Sequence, residues 1–222
     1  MIGCRAPELR CPASTITPAL ARRFAATLGV ALGCAVAAPA LSQPRPGEPA
    51  PPFTLQDVAG KPVSLADFKG RTVVLEWTNP GCPFVQKHYV SRNMPALQAK
   101  YGATDVAWLS INSTHTGHAD YLEPAQLAAR MQAWQAAPTA ILMDAEGTTG
   151  KAYGARTTPQ MVVIDAGGVI RYAGAIDDRR SADPADVKVA RNYVSAALDD
   201  LKAGRPVALA SSTPYGCSVK YR

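Results

Sequence analysis

Residues Thr72 to Val85 read TVVLEWTNPGCPFV. A β-branched, apolar run halts at Asn79-Pro80-Gly81, presents a cysteine, and resumes with a proline. The run Thr72–Trp77 has the composition of a strand covered on both faces, as in a parallel sheet. Asn, Pro and Gly in succession are turn chemistry. Pro83 fits the first position of a helix, where its missing N–H and fixed φ cost nothing. The segment therefore reads as strand, turn and helix, with Cys82 at the junction. A sulfur there is expected to face the free N–H groups and the positive end of a helix dipole, which favour the thiolate. The competing reading is a buried cysteine packed as a small hydrophobe, which a turn tip suits poorly.

Working outward, Phe53-Thr54-Leu55 and Val63-Ser64-Leu65 flank a turn around Asp57–Lys61 and read as two short strands. Helix is expected from Pro83 to about Arg92 and again over 95–101 after a break forced by Pro95. DVAWLSIN at 105–112 is the next strand. Leu127, Met131 and Trp134 recur at helical spacing within 124–137. Residues 139–143 and 161–164 are strand-like, and 169–173 pairs with the latter across Asp165-Ala166-Gly167-Gly168. Val187, Ala190, Val194, Ala197, Leu198 and Leu201 form one stripe, predicting a last helix over 187–202 closed by Gly204 and Pro206. Strands alternating with helices and ending in a hairpin imply an α/β fold with a mixed central sheet flanked by helices. The remainder, 207–222, is an extended tail.

The first residues differ in composition. Four arginines and one glutamate precede an apolar run from Phe24 to Ala40 that is rich in Ala and Gly. That order is a secretory signal over 1–42, cleaved near Gln43; the run falls short of the ~20 residues a membrane span needs, so no stable membrane anchor is expected. Five prolines within Gln43–Pro52 make an extended linker, and a single domain over 53–206 follows. The formal charge of +6 falls to +3 without the leader, too small to indicate nucleic acid. Cys4, Cys11 and Cys34 all lie in the leader, which leaves Cys82 and Cys217. Two cysteines in an exported protein invite a pairing.

A cysteine at a strand-to-helix turn, then Thr158-Pro159 before a hairpin and a final helix, resembles the thioredoxin fold. Gly60–Gly70 (GKPVSLADFKG), Val163-Ile164-Asp165, Gly168 and Arg171 are similar to its redoxin branch, shared by peroxiredoxins and thioredoxin-like proteins of the bacterial envelope. The likeness runs over about 50–203. It implies a cis Pro159, with Thr158 and Pro159 facing Cys82 and binding substrate, joined by Trp77 and Asn79 beside the turn. It also implies that Arg156 supports the thiolate, that no cofactor is needed, and that the protein works in the bacterial periplasm.

Two departures matter. Val85 stands where a C-x-x-C motif has its second cysteine, and Asn79 stands where the peroxiredoxin pattern P-x-x-x-[TS]-x-x-C has its hydroxyl. Cys217, in the stretch YGCSVKY, lies on a tail long enough to reach Cys82 at ~3.3 Å per residue. It is either the resolving thiol of a thiol oxidoreductase, as in a peroxiredoxin with a C-terminal resolving cysteine, or one end of a static staple. The partner is then a thiol or disulfide protein or a peroxide; the electron donor is not encoded. Two other function classes stand beside it. His88, His115 and His118 near Cys82 allow an envelope copper chaperone, and the Thr158-Pro159 face allows a non-catalytic binding module.

Overall fold

The structure is a computed structural model and describes residues 44–222; the signal sequence expected over 1–42 lies outside them. The strand Thr72–Trp77 (β3) stands inside a seven-stranded sheet that also contains β1 (Thr54–Asp57), β2 (Pro62–Ser64), β4 (Val106–Asn112), β5 (Ala140–Met143), β7 (Gln160–Ile164) and β8 (Ile170–Gly174). Their order is β2-β1-β5-β4-β3-β7-β8. β3 runs parallel to β4 and antiparallel to β7, and β7 turns back as the hairpin to β8. Asp165 closes that hairpin by accepting from the N–H groups of Gly167 and Val169. This is the thioredoxin fold that the strand and helix order implies.

Alternation along β3 divides the core, since successive side chains point to opposite faces. Val73, Leu75 and Trp77 enter a cluster with Phe53, Leu109, Ile111 and Tyr153. Val74 enters another with Cys82, Tyr89, Met94, Leu127 and Leu198. That second cluster draws on α1 (Pro83–Val90), α2 (Asn93–Gly102), α3 (Pro124–Ala133) and α5 (Tyr193–Lys202). Both faces of β3 are thus covered, which is why its sequence does not alternate. Leu75 is wholly buried, and its truncation to Ala would cost ~2–5 kcal/mol.

Several expectations need correction. The break between α1 and α2 falls at Arg92, which takes a left-handed φ of 65°; Pro95 then sits in the first turn of α2, where it breaks no helical hydrogen bond. The last helix starts at Tyr193, not Val187. Asn192 caps it by accepting from Ser195 N–H, while Asn192 also bridges to Asp177 and Tyr193 N–H donates to Ile176. Those backbone pairings with the segment after β8 draw 189–192 out of helix. The proline-rich stretch is extended but is no free linker: Gly47 N–H donates to Ile170 and Ala50 N–H to Gly168, so the folded body begins near residue 47. A short helix, α4 (Thr148–Ala152), carries no periodicity signal in the sequence. Nor is the tail featureless, for Cys217–Ser218 forms a strand, β9, antiparallel to β6 (Thr157–Thr158). Among the described residues no helix is long and apolar enough to cross a membrane.

Candidate functional site

The turn after β3 is built by Asn79. Its Oδ1 accepts from Gly81 N–H at 2.7 Å and its carbonyl from Cys82 N–H at 3.0 Å, an Asx turn of the kind Asn makes readily. Its amide donates to Thr114 Oγ1 at 3.2 Å and Asp120 Oδ2 at 3.5 Å. Asn79 is buried with both ends of its amide engaged, so its side chain shapes the turn. A Cβ on Gly81 would lie 2.9 Å from Asp120 Cγ, so any larger residue there would displace the Asp120 carboxylate.

Cys82 is the N-terminal cap residue of α1, with Pro83 at the first helical position. Its thiol does not cap the helix, contrary to expectation. Cys82 is only 2% exposed and its Sγ donates to the carbonyl oxygen of Thr158 at 3.1 Å. A thiol is a weak donor, and a buried carbonyl without a partner is costly, so the contact satisfies both groups. Thr158 is joined to Pro159 by a cis peptide bond.

Thr158 is also the register partner of Cys217 in the β6–β9 ribbon. The second cysteine therefore arrives beside the first, and Cys217 packs on the cluster that contains Cys82. The Cys217 thiol is pushed up to about 12 by burial, by the hydrogen bond it donates to Cys82 and by the charge Cys82 carries when ionised; Lys220 opposes this. The two cysteines are unbonded here.

The tail is held on both sides of Cys217. Val219 N–H donates to Arg156 O at 3.0 Å and His115 N–H to Lys220 O at 2.9 Å. Tyr221 Oη donates to Ala155 O at 2.9 Å. On the other side, Tyr215 is buried and its Oη donates to Asp177 Oδ1 at 2.5 Å. The Arg156 main chain holds the turn as well, its N–H donating to Gln160 Oε1 at 2.9 Å.

The remaining expected residues part company. Trp77 lies on the opposite face of β3, its ring 5.5 Å from that of Tyr153, so it is core and not substrate surface. His88 is fully buried beside Tyr215 and Asn93, and burial with Lys87 alongside drops it to about 3. His115 and His118 accept from Gly117 and Asp120 N–H groups within their own loop. Among the described residues no three His, Cys, Asp or Glu side chains converge to hold a metal.

Two groups escaped sequence reasoning. Glu76, in the middle of β3, accepts from Tyr89 and Trp108 at 2.8 Å, Ser110 at 3.0 Å and Gln98 at 3.2 Å. Burial raises its carboxyl despite these donors. A lone acid inside an apolar run was the available signal. The second is the Lys87–His88–Asp177–Tyr215 cluster, whose members come from three separate segments and share no local pattern.

The Redoxin family profile matches residues 45–192. Among solved structures, the chain is similar to an uncharacterized conserved protein from Geobacillus kaustophilus at 28% identity and TM-score 0.66, covering 82% of this chain and 94% of that one. It is similar also to a hypothetical protein from Sinorhizobium meliloti 1021 at 25% identity and TM-score 0.65, covering 80% and 94%. No curated protein matches the chain.

Proposed function

The chain belongs to the Redoxin family, and on that footing we propose that it is a thiol oxidoreductase with Cys82 as nucleophile and Cys217 as resolving thiol. The observation that carries this reading is the double role of Thr158, which accepts the Cys82 thiol and is the strand partner of Cys217.

The chemistry runs in two steps. The Cys82 thiolate attacks one sulfur of a disulfide and expels a thiolate, or attacks a hydroperoxide oxygen and expels an alkoxide, leaving a mixed disulfide or a sulfenic acid. The Cys217 sulfur then loses its proton and attacks the Cys82 sulfur. It releases the second thiol or water and forms the Cys82–Cys217 disulfide. The substrate gains two electrons, the dithiol loses two, and an external thiol donor restores it. Part of what holds the Cys217 proton is the charge on Cys82. Once Cys82 carries a substrate group that charge is gone, so Cys217 becomes easier to ionise at the step that needs it.

The paired edge of β6 supports a small oxidant as substrate. An extended polypeptide adds to a sheet through a free strand edge, and beside Cys82 that edge is taken by β9. The leader composition supports export, outside the reducing cytosol. The near-complete burial of Cys82 favours a second reading, in which the same disulfide is a static staple.

Oxidation of the full chain with hydrogen peroxide, glutathione disulfide and a denatured protein disulfide, followed by mass mapping, tests the proposal. The Cys82–Cys217 link should form with the small oxidants, and Cys217→Ser should trap a mixed disulfide or sulfenic acid on Cys82. A Cys82 that none of the three modifies ends the catalytic reading. A disulfide poised below about −300 mV identifies the staple.

A further inference from the structure

Tyr215 stands two residues before Cys217 on the tail, and its partners belong to α1, which Cys82 caps, or to the buried segment that carries Asp177. Its ring meets Phe84 edge-on with centroids 5.9 Å apart, and Lys87 Nζ lies 5.5 Å from its centroid. Its hydroxyl donates to Asp177 Oδ1 at 2.5 Å and lies 3.3 Å from His88 Nε2. His88 Nδ1 is 2.9 Å from the Asn93 amide nitrogen.

These contacts fix the proton positions. The Asn93 amide nitrogen, the atom that faces His88, can only donate, so His88 Nδ1 accepts and Nε2 carries the hydrogen. The Tyr215 hydroxyl oxygen then accepts from His88 and its proton goes to Asp177. The relay runs Asn93 to His88 to Tyr215 to Asp177 with every polarity consistent. Lys87 completes the cluster, donating to Arg179 O at 2.7 Å and standing 3.9 Å from Asp177 Oδ2, with the Lys87 and Asp177 side chains almost wholly buried.

We infer that Tyr215 is a positioning residue that fastens the tail to the helix of the nucleophile, so that Cys217 waits at Cys82 instead of searching for it. The inference rests on the resolving role proposed for Cys217. Ordering two thiols in advance raises their effective concentration toward each other, which appears as a larger equilibrium constant for the intramolecular disulfide. Removing the hydroxyl leaves His88 Nε2–H buried without its acceptor and takes from Asp177 Oδ1 one of its two donors, the other being Arg179 N–H at 3.0 Å, a penalty that tail release relieves.

The test is a redox titration of the full reduced chain in glutathione buffers, in which glutathione disulfide oxidises the dithiol and yields two glutathione thiols. Tyr215→Phe should lower the equilibrium constant for the Cys82–Cys217 bond several-fold. Tyr215→Ala should lower it tenfold or more, about 30 mV per tenfold. Asp177→Asn should act with Tyr215→Phe non-additively, since it weakens the same hydrogen bond that Tyr215→Phe removes. Thermal melting of each variant shows whether the body is intact; should the Ala variant unfold, the Phe variant decides. Folded variants that keep the wild-type constant overturn the inference while leaving the resolving role standing. A wild-type chain that never forms the bond overturns both.

Discussion

A Cβ added to Gly216 would lie 2.0 Å from the carbonyl oxygen of Thr158. Gly216 has φ of 134°, a region favouring glycine, and it lets the tail run against the same oxygen that receives the Cys82 thiol. Gly216→Ala should therefore expel β9 from β6. The expected result is faster alkylation of Cys217 and loss of hydrogen-exchange protection over 215–219, with little change in the sheet. Unchanged protection would mean that the tail does not depend on this approach.

Cys217 should titrate far above an ordinary thiol, with the midpoint of its alkylation rate near 12. Its folded value lies above the unfolded 9.0, so the neutral thiol is the form that folding favours. The stabilisation is complete below about pH 9 and is lost as pH rises toward 12. Cys82→Ser removes the neighbouring charge and should bring the midpoint down. A pH–rate profile for the two chains measures it.

His88 predicts acid sensitivity of opposite sense. Burial lowers it from 6.5 to about 3, so the folded protein resists a proton that the unfolded chain accepts. Stability is full above pH 6.5 and falls as pH drops toward 3, by at most ~1.4 kcal/mol per pH unit for one group. Urea unfolding at several pH values should show this slope flattened in His88→Gln. An identical slope in that variant would assign the acid sensitivity elsewhere.

Glu76 is surrounded by four donors, Tyr89, Gln98, Trp108 and Ser110. Glu76→Leu would strand them all, at ~1–3 kcal/mol for each buried group left unpaired. Even after relaxation it should destabilise by more than about 3 kcal/mol, and Glu76→Gln by less, because the amide keeps one acceptor. Equilibrium unfolding of the two variants checks the order.

The strand-turn-helix around Cys82, the paired opening strands and the Asp165–Gly168 hairpin were legible because each is encoded locally. Covered faces show as unbroken apolar runs and turns show as Asn, Pro and Gly. Trp77 was misplaced because an aromatic beside a turn looks available for substrate, whereas the pleat of β3 sends it to the other face. The part Asn79 plays in the turn was hidden for a related reason, since a polar side chain near a thiol says nothing of whether its hydrogen bonds are already made. The start of α5 was missed because Val187 and Ala190 continue the helical stripe while Asn192 is claimed by a backbone bridge to Asp177.

What the sequence alone determined is the order of elements and the placing of one cysteine where a buried strand meets a helix, since both follow from propensities acting over a few residues. Only the tertiary structure decided that this thiol is sealed from solvent against Thr158, and that the last residues return as a strand bringing Cys217 to it. Pairing between distant segments depends on which backbone groups lie free at a sheet edge and which cavities accept a Tyr215 or a bare Gly216. Those conditions exist only once the chain has folded.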